Sequence, residues 1–399
     1  MTNSTKPLQG LRVLELGQLI AGPFAAKILG EFGASVIKIE PPGAGDPLRK
    51  WRLLHNGTSV WWQVQSRNKQ SVTLDLRQPE GQDIIRQLIT ETDVLIENFK
   101  PGTLEHWGLG WDTLKSINPK LIMLRVSGYG QTGPYRDLPG FGVVGEAMGG
   151  LRHLSGEPGR PPVRVGVSIG DSLAALHGVI GILLALRHKE QQGGPGQVID
   201  VALYESVFNM MESLLPEYSV FNTIRQPSGS ALPGITPSNA YLCADGKYAL
   251  IAGNGDSIFK RLMQVIGRPD MEHNPEFAHN DGRARHAGII DAAIQAWAIT
   301  LPLDDVLQAL HEGRIPAGRV YDIADICQDP HYQARDMILE DTLEDGTPVK
   351  VPGIVPKLSL TPGGIERKAP LLGQDTHRVL GKLGIDEKTL AEWADKGLV

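Results

Sequence analysis

An α/β fold, with helices covering both faces of a parallel sheet, is predicted from three features of this sequence. Short apolar strands alternate with helical segments from about residue 8 to about residue 200, and that alternation is how parallel sheets are built. The 47 glycines and 28 prolines fall between these segments, not in low-complexity tracts, so they read as punctuation. A content of 41% hydrophobic and 21% charged residues is that of an ordinary globular chain able to bury a large core.

The elements follow in order. Leu11 to Leu16 alternates apolar and polar residues and reads as a strand. Gly17 to Pro23 is a turn, with Pro23 placed to open a helix over Phe24 to Phe32 that Gly33 stops. Val36 to Ile39 is a second strand, closed by Pro41-Pro42-Gly43. Then come a strand at Ser71 to Leu76, a helix at Glu80 to Thr90, a strand at Val94 to Glu97, a helix at Trp111 to Ile117 and a strand at Leu121 to Val126. Asp171 leads into a long helix. Leu173, Leu176, Ile180, Leu183 and Arg187 recur at helical spacing, and the other faces are also apolar, so the helix should be buried. A strand at Val198 to Leu203 and a helix at Tyr204 to Leu215 complete this region. Asn222 to Pro237, rich in Pro, Gly and Ser, reads as a boundary. Beyond it, Ala240 to Leu242 and Tyr248 to Ala252 flank Asp245-Gly246 as a hairpin, and helices near 256–266 and 282–300 suggest a smaller α+β domain. Helices at 374–383 and 387–396 close the chain, after Asp, Gly and Pro-rich loops with short strands.

Charge and composition narrow the function. A net charge of −6 argues against sequence-independent nucleic-acid binding, which needs a basic surface. The N-terminal MTNSTKPLQG lacks the apolar stretch of a signal peptide, and the longest apolar run, Val179 to Leu186, falls short of a membrane span. Cys243 and Cys327 stand far apart, with no CxxC, so neither a disulfide framework nor a thiolate metal site is expected and a reducing cytoplasm is.

Chemistry concentrates in a few places. The turn Gly17 to Pro23 sets two glycines before a helix start, where free N–H groups hold anions, though it matches neither GxGxxG nor GxxxxGK[ST]. Glu40 ends the second strand, as a ribose-binding acid would, but two prolines follow at once. Glu97-Asn98-Phe99-Lys100-Pro101-Gly102 follows a strand end, where ligands of parallel sheets bind: Phe99 could stack on an adenine and Lys100 could meet a phosphate, although a plain Pro-Gly turn explains the segment as well. Arg49, Lys50, Arg52, Arg67 and Lys69 cluster around Trp51, Trp61 and Trp62, enough charge for several phosphates or a dicarboxylate, or else a solvated loop. Asp171 follows Gly166-Val-Ser-Ile-Gly170. An Asp before an apolar helix is usually an N-cap; the same place would suit a nucleophilic carboxylate with helix N–H donors beside it. No GxSxG, HExxH or clustered metal-ligand set occurs.

Read together, these segments resemble the family III CoA-transferases, the group that includes formyl-CoA:oxalate and carnitine CoA-transferases and the α-methylacyl-CoA racemases. The residues that carry the resemblance are Leu14 to Pro23, Gly33 to Pro41, Gly45-Asp46, Asn68-Lys69, Leu74-Asp-Leu76, Pro79-Glu-Gly81 and Val94 to Gly102. They continue through Gly108-Leu109, Leu114, Asn118-Pro119, Ser127 to Tyr135, Gly149-Gly150, Gly170-Asp171 and Gly196 to Val201. Order and spacing agree over about residues 8–205, and the remainder matches more loosely.

The resemblance implies a Rossmann-like large domain made from both chain ends, here residues 1–220 and a return segment 321–399, with a small α+β domain at 221–320. It implies an interlocked homodimer. It makes Asp171 the catalytic aspartate that carries the acyl group through an anhydride and an aspartyl-CoA thioester. Leu74, Asn98 and Phe99 match positions that contact coenzyme A, and Lys100, Pro101 and Gly102 complete that loop. The substrate is a CoA thioester; no tightly bound cofactor, metal, nucleic acid or membrane partner is implied.

Departures from the family refine this. His106-Trp107 stands where the family often has Arg, and Pro41 where Arg or Lys is frequent, which shifts phosphate contacts to Arg49, Lys69 or Lys100. Ile20 replaces the Gln of formyl-CoA transferases. Phe141-Gly142 replaces both their Tyr-Glu pair and the His-Asp pair of the racemases. Their glycine-run lid gives way to Ser-Gly-Ser-Ala-Leu-Pro-Gly-Ile-Thr near Ser228 to Thr236. These changes argue against oxalate as acceptor and against a racemase, whose proton shuttle would lack a base. The loops Gly142 to Gly150 and Leu232 to Pro237 look like those of succinyl-CoA-dependent members acting on dicarboxylates such as itaconate, citramalate or hydroxymethylglutarate, with Arg52, Arg152 and Arg164 as candidate partners for a second carboxylate. The alternatives are an acyl-CoA racemase or epimerase and a non-catalytic CoA-binding protein.

Overall fold

Six short strands form the frame of the computed structural model, which describes residues 6–399. They are β1 (Arg12–Glu15), β2 (Ser35–Glu40), β3 (Lys69–Thr73), β4 (Val94–Glu97), β5 (Ile122–Ser127) and β6 (Val198–Ala202). All pair in parallel, in the spatial order β3-β2-β1-β4-β5-β6. The chain therefore lays strands outward on one side of β1 and then returns to start again on the other. That reversal leaves a crevice at the carboxyl ends of β1 and β4, where α/β sheets take their ligands.

The pleat sends alternate residues to two cores. Val13, Ile96, Leu124 and Val126 face one side, against α1 (Ala21–Glu31). Leu14, Leu95, Met123 and Val72 face the other, against α2 (Pro79–Ile89) and α3 (Trp111–Ile117). Two further helices, α4 (Gly142–Met148) and α5 (Ile169–Gln192), precede β6, and α6 (Leu203–Phe208) follows it. Helix α5 packs on the first core through Ala174, Ala175, Val179, Ile182, Ala185 and Leu186.

The long helix departs from its expectation. Apolar on every side, it was expected to be wholly buried, yet Leu176, Ile180, Leu183 and Leu184 are 44%, 55%, 43% and 66% exposed. A helix lying on a sheet buries one side, and among the described residues these four leucine and isoleucine side chains on the other remain exposed. Helix α5 is also long and apolar enough to cross a membrane, at a mean hydropathy of 1.9, unlike the eight-residue run at its centre; its packed face marks it as a core helix. The expected helix over 204–215 is broken into α6 and a separate helix at Leu214–Phe221, because the backbone turns at Glu212 with φ +49°. The Gly142–Gly150 segment, read as a loop, is helix α4. The third strand begins at Lys69, two residues before the expected Ser71.

The chain divides into two compact units. The first contains the chain up to Arg152, Arg164–Ile224 and Asp336–Val399; the second contains His153–Val163 and Arg225–Arg335. In the first, the last helices, α7 (Thr376–Gly381) and α8 (Glu387–Asp395), bring Val379, Leu380, Leu390 and Leu398 into the second core of the sheet. The second unit has an antiparallel sheet of Ser238–Leu242, Tyr248–Ala252 and Ala317–Arg319, with the Asp245-Gly246 turn as expected. Helices Asp256–Val265, Ala287–Ala298 and Leu303–Glu312 cover it around Tyr241, Phe259, Leu262 and Ile294.

Candidate active site

Two turns at the carboxyl ends of β1 and β4 make the floor of the crevice, and one side chain ties them together. The Asn98 Oδ1 accepts from the Gln18 N–H at 2.7 Å, and its Nδ2 donates to the Gln18 carbonyl at 2.8 Å. Gly17 keeps this contact uncrowded, since a Cβ would lie 3.1 Å from Asn98 Oδ1 and press on it. The next residue, Leu19, sits in the left-handed region at φ +63°, which costs a non-glycine residue roughly 1 kcal/mol or more. Its N–H donates to Asp46 Oδ1 at 3.0 Å, which helps hold that conformation.

Asp46 belongs to a buried charge cluster beneath the turn. The Lys38 ammonium reaches Glu15 at 2.7 Å, Asp46 at 2.8 Å and the Gly17 carbonyl at 2.8 Å. Burial alone would lower the pKa of Lys38, but Asp46, Glu15 and Glu40 outweigh it and raise it. Lys69 reaches Glu15 and the Pro23 carbonyl, each at 2.8 Å. There burial wins over the attraction of Glu15 and brings the pKa down to about 8. Charges removed from water persist only with close partners, and here each has one.

The second turn is held from below by Glu97, which accepts from the Phe99 N–H at 2.8 Å and from Arg125 Nε at 2.7 Å. Burial pushes Glu97 up to about 7 in spite of Arg125. The Phe99 ring meets Trp107 edge to face at 5.4 Å.

Asp171 enters the crevice from the first turn of α5. Its carboxylate rests against Gly142 at the start of α4: a Cβ there would lie 2.0 Å from Asp171 Oδ2. Removal from water pushes its pKa up to about 6; the backbone N–H at the helix start and the Arg164 charge act against this, and Glu146 adds to it. The resulting pocket, of about 280 Å³, is lined by Ile20, Asn98, Phe99, Lys100, Phe141 and Asp171 among others. A carboxylate that is partly dry, borders a cavity and sits in the first turn of a helix is equipped to attack an electrophilic carbonyl and to be attacked in turn.

The structure thus brings together Asp171, Asn98, Phe99 and Lys100. It places the other expected residues elsewhere. Leu74 is 1% exposed within the second core. Pro101 is buried, and Gly102, at φ +89°, turns the chain into the short helix Thr103–His106. Arg49 does not face the pocket: Nε and Nη2 bind Glu40 at 2.7 and 2.8 Å, and its guanidinium lies 3.7 Å from the Trp62 ring. Lys69 is spent on Glu15. A phosphate could reach neither without displacing an internal carboxylate, so of the three expected phosphate partners Lys100 alone lines the pocket. Arg52 lies over Trp61, outside the lining. Glu40 holds Arg49 and Ser71, not an open ribose site. Sequence reasoning missed the seat at Gly142 and the role of Asp46. The spacing Gly142, Gly145, Gly149 was a usable signal, since it puts three glycines on one buried helix face that meets α6 at Leu203 and Val207.

The chain is similar to known proteins over nearly its whole length. Residues 8–376 match the model of the family described as CoA-transferase family III. Succinyl-CoA–D-citramalate CoA-transferase of Chloroflexus aurantiacus is 48% identical, over 97% of this chain and 96% of that protein. The β subunit of succinyl-CoA–L-malate CoA-transferase from the same organism is 43% identical, over 100% of this chain and 99% of that protein. A CAIB/BAIF family protein from Brucella suis has a crystal structure that superposes with a TM-score of 0.83 at 32% identity, covering 95% of this chain and 100% of that one.

Proposed function

Because this chain belongs to CoA-transferase family III and is a CoA-transferase, we propose that it moves coenzyme A from succinyl-CoA to a small dicarboxylic acid by way of Asp171. The observation that carries this reading is the Asp171 carboxylate, seated on Gly142 and facing a pocket at the reversal point of the sheet. Citramalate is the acceptor best supported, on the strength of the 48% identical relative; itaconate and hydroxymethylglutarate are close in size and charge.

Four exchanges complete the reaction. An Asp171 oxygen attacks the thioester carbonyl, expels CoA thiolate and forms a mixed anhydride. The thiolate attacks the Asp171 carbonyl, which frees succinate and leaves an aspartyl-CoA thioester. A carboxylate oxygen of the acceptor displaces the thiolate to give a second anhydride. The thiolate then takes the acceptor's carbonyl and releases Asp171. No proton, electron or metal is consumed, and a thioester replaces a thioester, so little driving force is required. The reading is supported by the position of Asp171 in the first turn of α5, where free N–H groups at the helix start would donate to the oxyanions as they form. Lys100 meets a phosphate of the coenzyme, and Phe99, braced by Trp107, stacks on its adenine.

A racemase would need a base opposite Asp171; Phe141 and Gly142 stand there and supply none. The enzyme acts in the cytoplasm as a homodimer, a reading supported by its two unpaired cysteines and by the uncovered apolar side of α5.

The test is incubation with succinyl-CoA and a panel of mono- and dicarboxylic acids, with new thioesters read by mass spectrometry. The wild type should form a new acyl-CoA, and Asp171→Ala should lose at least a thousandfold in rate while keeping its circular dichroism. Transfer by the variant at near wild-type rate would end the mechanism.

A further inference from the structure

Helix α4 carries one charged residue on its buried face. Gly142 seats Asp171, and Glu146, one helical turn further along the same face, is 1% exposed. Two guanidinium groups flank it. Arg152 Nη2 lies 3.7 Å from one Glu146 oxygen and Arg164 Nε lies 3.7 Å from the other. Both distances exceed hydrogen-bond reach, and the one N–H that meets this carboxylate, from Val165, does so at a long 3.4 Å. The Nε and Nη2 of Arg152 are shielded from solvent with no hydrogen-bond acceptor.

This arrangement is unfinished in two respects. Two cations face a single carboxylate, which leaves one positive charge over. Buried donors lack acceptors, and in folded proteins such donors are normally satisfied. A second carboxylate would correct both, since its two oxygens match the donor fork of a guanidinium. The position also suits a substrate: Arg164 is the cation whose charge acts on Asp171, and Glu146 acts on it with the opposite sign.

We propose that Arg152 and Arg164 bind the distal carboxylate of the acyl group, and that Glu146 is the internal counter-ion that keeps them in place until it arrives. The subsite gives the enzyme its preference for dicarboxylic over monocarboxylic chains. It rests on the CoA-transfer reading above and adds the residues that select the substrate.

The experiment needs no knowledge of the natural acceptor. The purified enzyme is given succinyl-CoA with labelled succinate and, separately, butyryl-CoA with labelled butyrate, and entry of label into the thioester is followed. The two chains are equal in length and differ at the far end, carboxylate against methyl. Arg164→Gln should lower the ratio of succinyl to butyryl exchange at least tenfold, and its side chain is exposed enough for the protein to tolerate the change. Arg152→Lys, which keeps the charge and removes the fork, should lower the ratio by a smaller factor. Ratios within twofold of wild type in both variants, whatever the absolute rates, would overturn the subsite and leave the transferase intact. No exchange by the wild type with either pair would overturn the transferase reading itself, and the subsite with it.

Discussion

A carboxylate kept partly from water resists ionisation, and Asp171 shows both sides of that fact. Its pKa of about 6 leaves it largely ionised at neutral pH and more basic than an exposed aspartate, which suits a nucleophile. The attacking form is the ionised one, so kcat/KM should climb with pH through about 6 and level off above it; a profile flat from pH 5 to 8 would contradict the assignment. The same shift bears on stability. The folded protein holds this proton more tightly than the unfolded chain, whose carboxyl titrates near 3.8. The stabilising contribution of Asp171 is therefore present below pH 3.8 and lost as pH rises through 6. Asp171→Asn, which cannot ionise, should melt higher than wild type at pH 7–8, by an amount on the order of 1–2 kcal/mol, and the difference should close near pH 4. Thermal melts at two pH values decide it. Asp171 itself was legible in the sequence, through its place between a glycine run and an apolar helix and through the family resemblance. Its seat was not, because no local pattern says that residue 142 will touch residue 171.

At the scale of elements, small residues set how closely α5 approaches the sheet. A Cβ on Gly178 would come within 2.7 Å of Leu124 Cδ2, and one on Gly181 within 2.7 Å of Ile199 Cγ2. Gly178→Val should lift the helix from β5 at a cost of about 1–3 kcal/mol, seen as a lower urea midpoint with an unchanged slope. Asp171 sits on the first turn of α5, so the same variant should lose activity out of proportion to its stability. The strands and α1, α2 and α3 could be read from alternation, periodicity and punctuation, since each is decided within a few residues. The break at Glu212 and the helix at Gly142–Met148 could not. Both depend on what a segment packs against, and the buried face of α4 is mostly glycine, which carries no apolar signal. The basic cluster was misread for a related reason: Arg49 and Lys69 look like free cations in sequence, and only the fold sets Glu40 and Glu15 beside them.

For the whole molecule, the uncovered apolar surface calls for a partner. Ile180 and Leu184 on α5, with Phe208, Leu215, Val220 and Phe221 in and after α6, are all between 48% and 74% exposed. A monomer rarely leaves such a patch open. Sedimentation equilibrium should give twice the chain mass of 43.3 kDa at micromolar concentration, and a double change, Ile180→Glu with Leu184→Glu, should shift it toward one. A wild type that sediments as a monomer at all concentrations would refute the homodimer.

The sequence by itself determined the alternation of strands and helices and the class of reaction, and it singled out Asp171 as the candidate nucleophile. These rest on residue type and spacing along the chain, which neighbours in sequence suffice to set. The tertiary structure alone decided that the last helices join the second core of the sheet, that Asn98 clamps Gln18, that Gly142 seats Asp171, and which cations are already engaged. The physical reason is common to all four. Whether a side chain is free to bind a ligand depends on what lies within a few ångströms of it, and here those neighbours stand from 9 to more than 300 residues away in the chain.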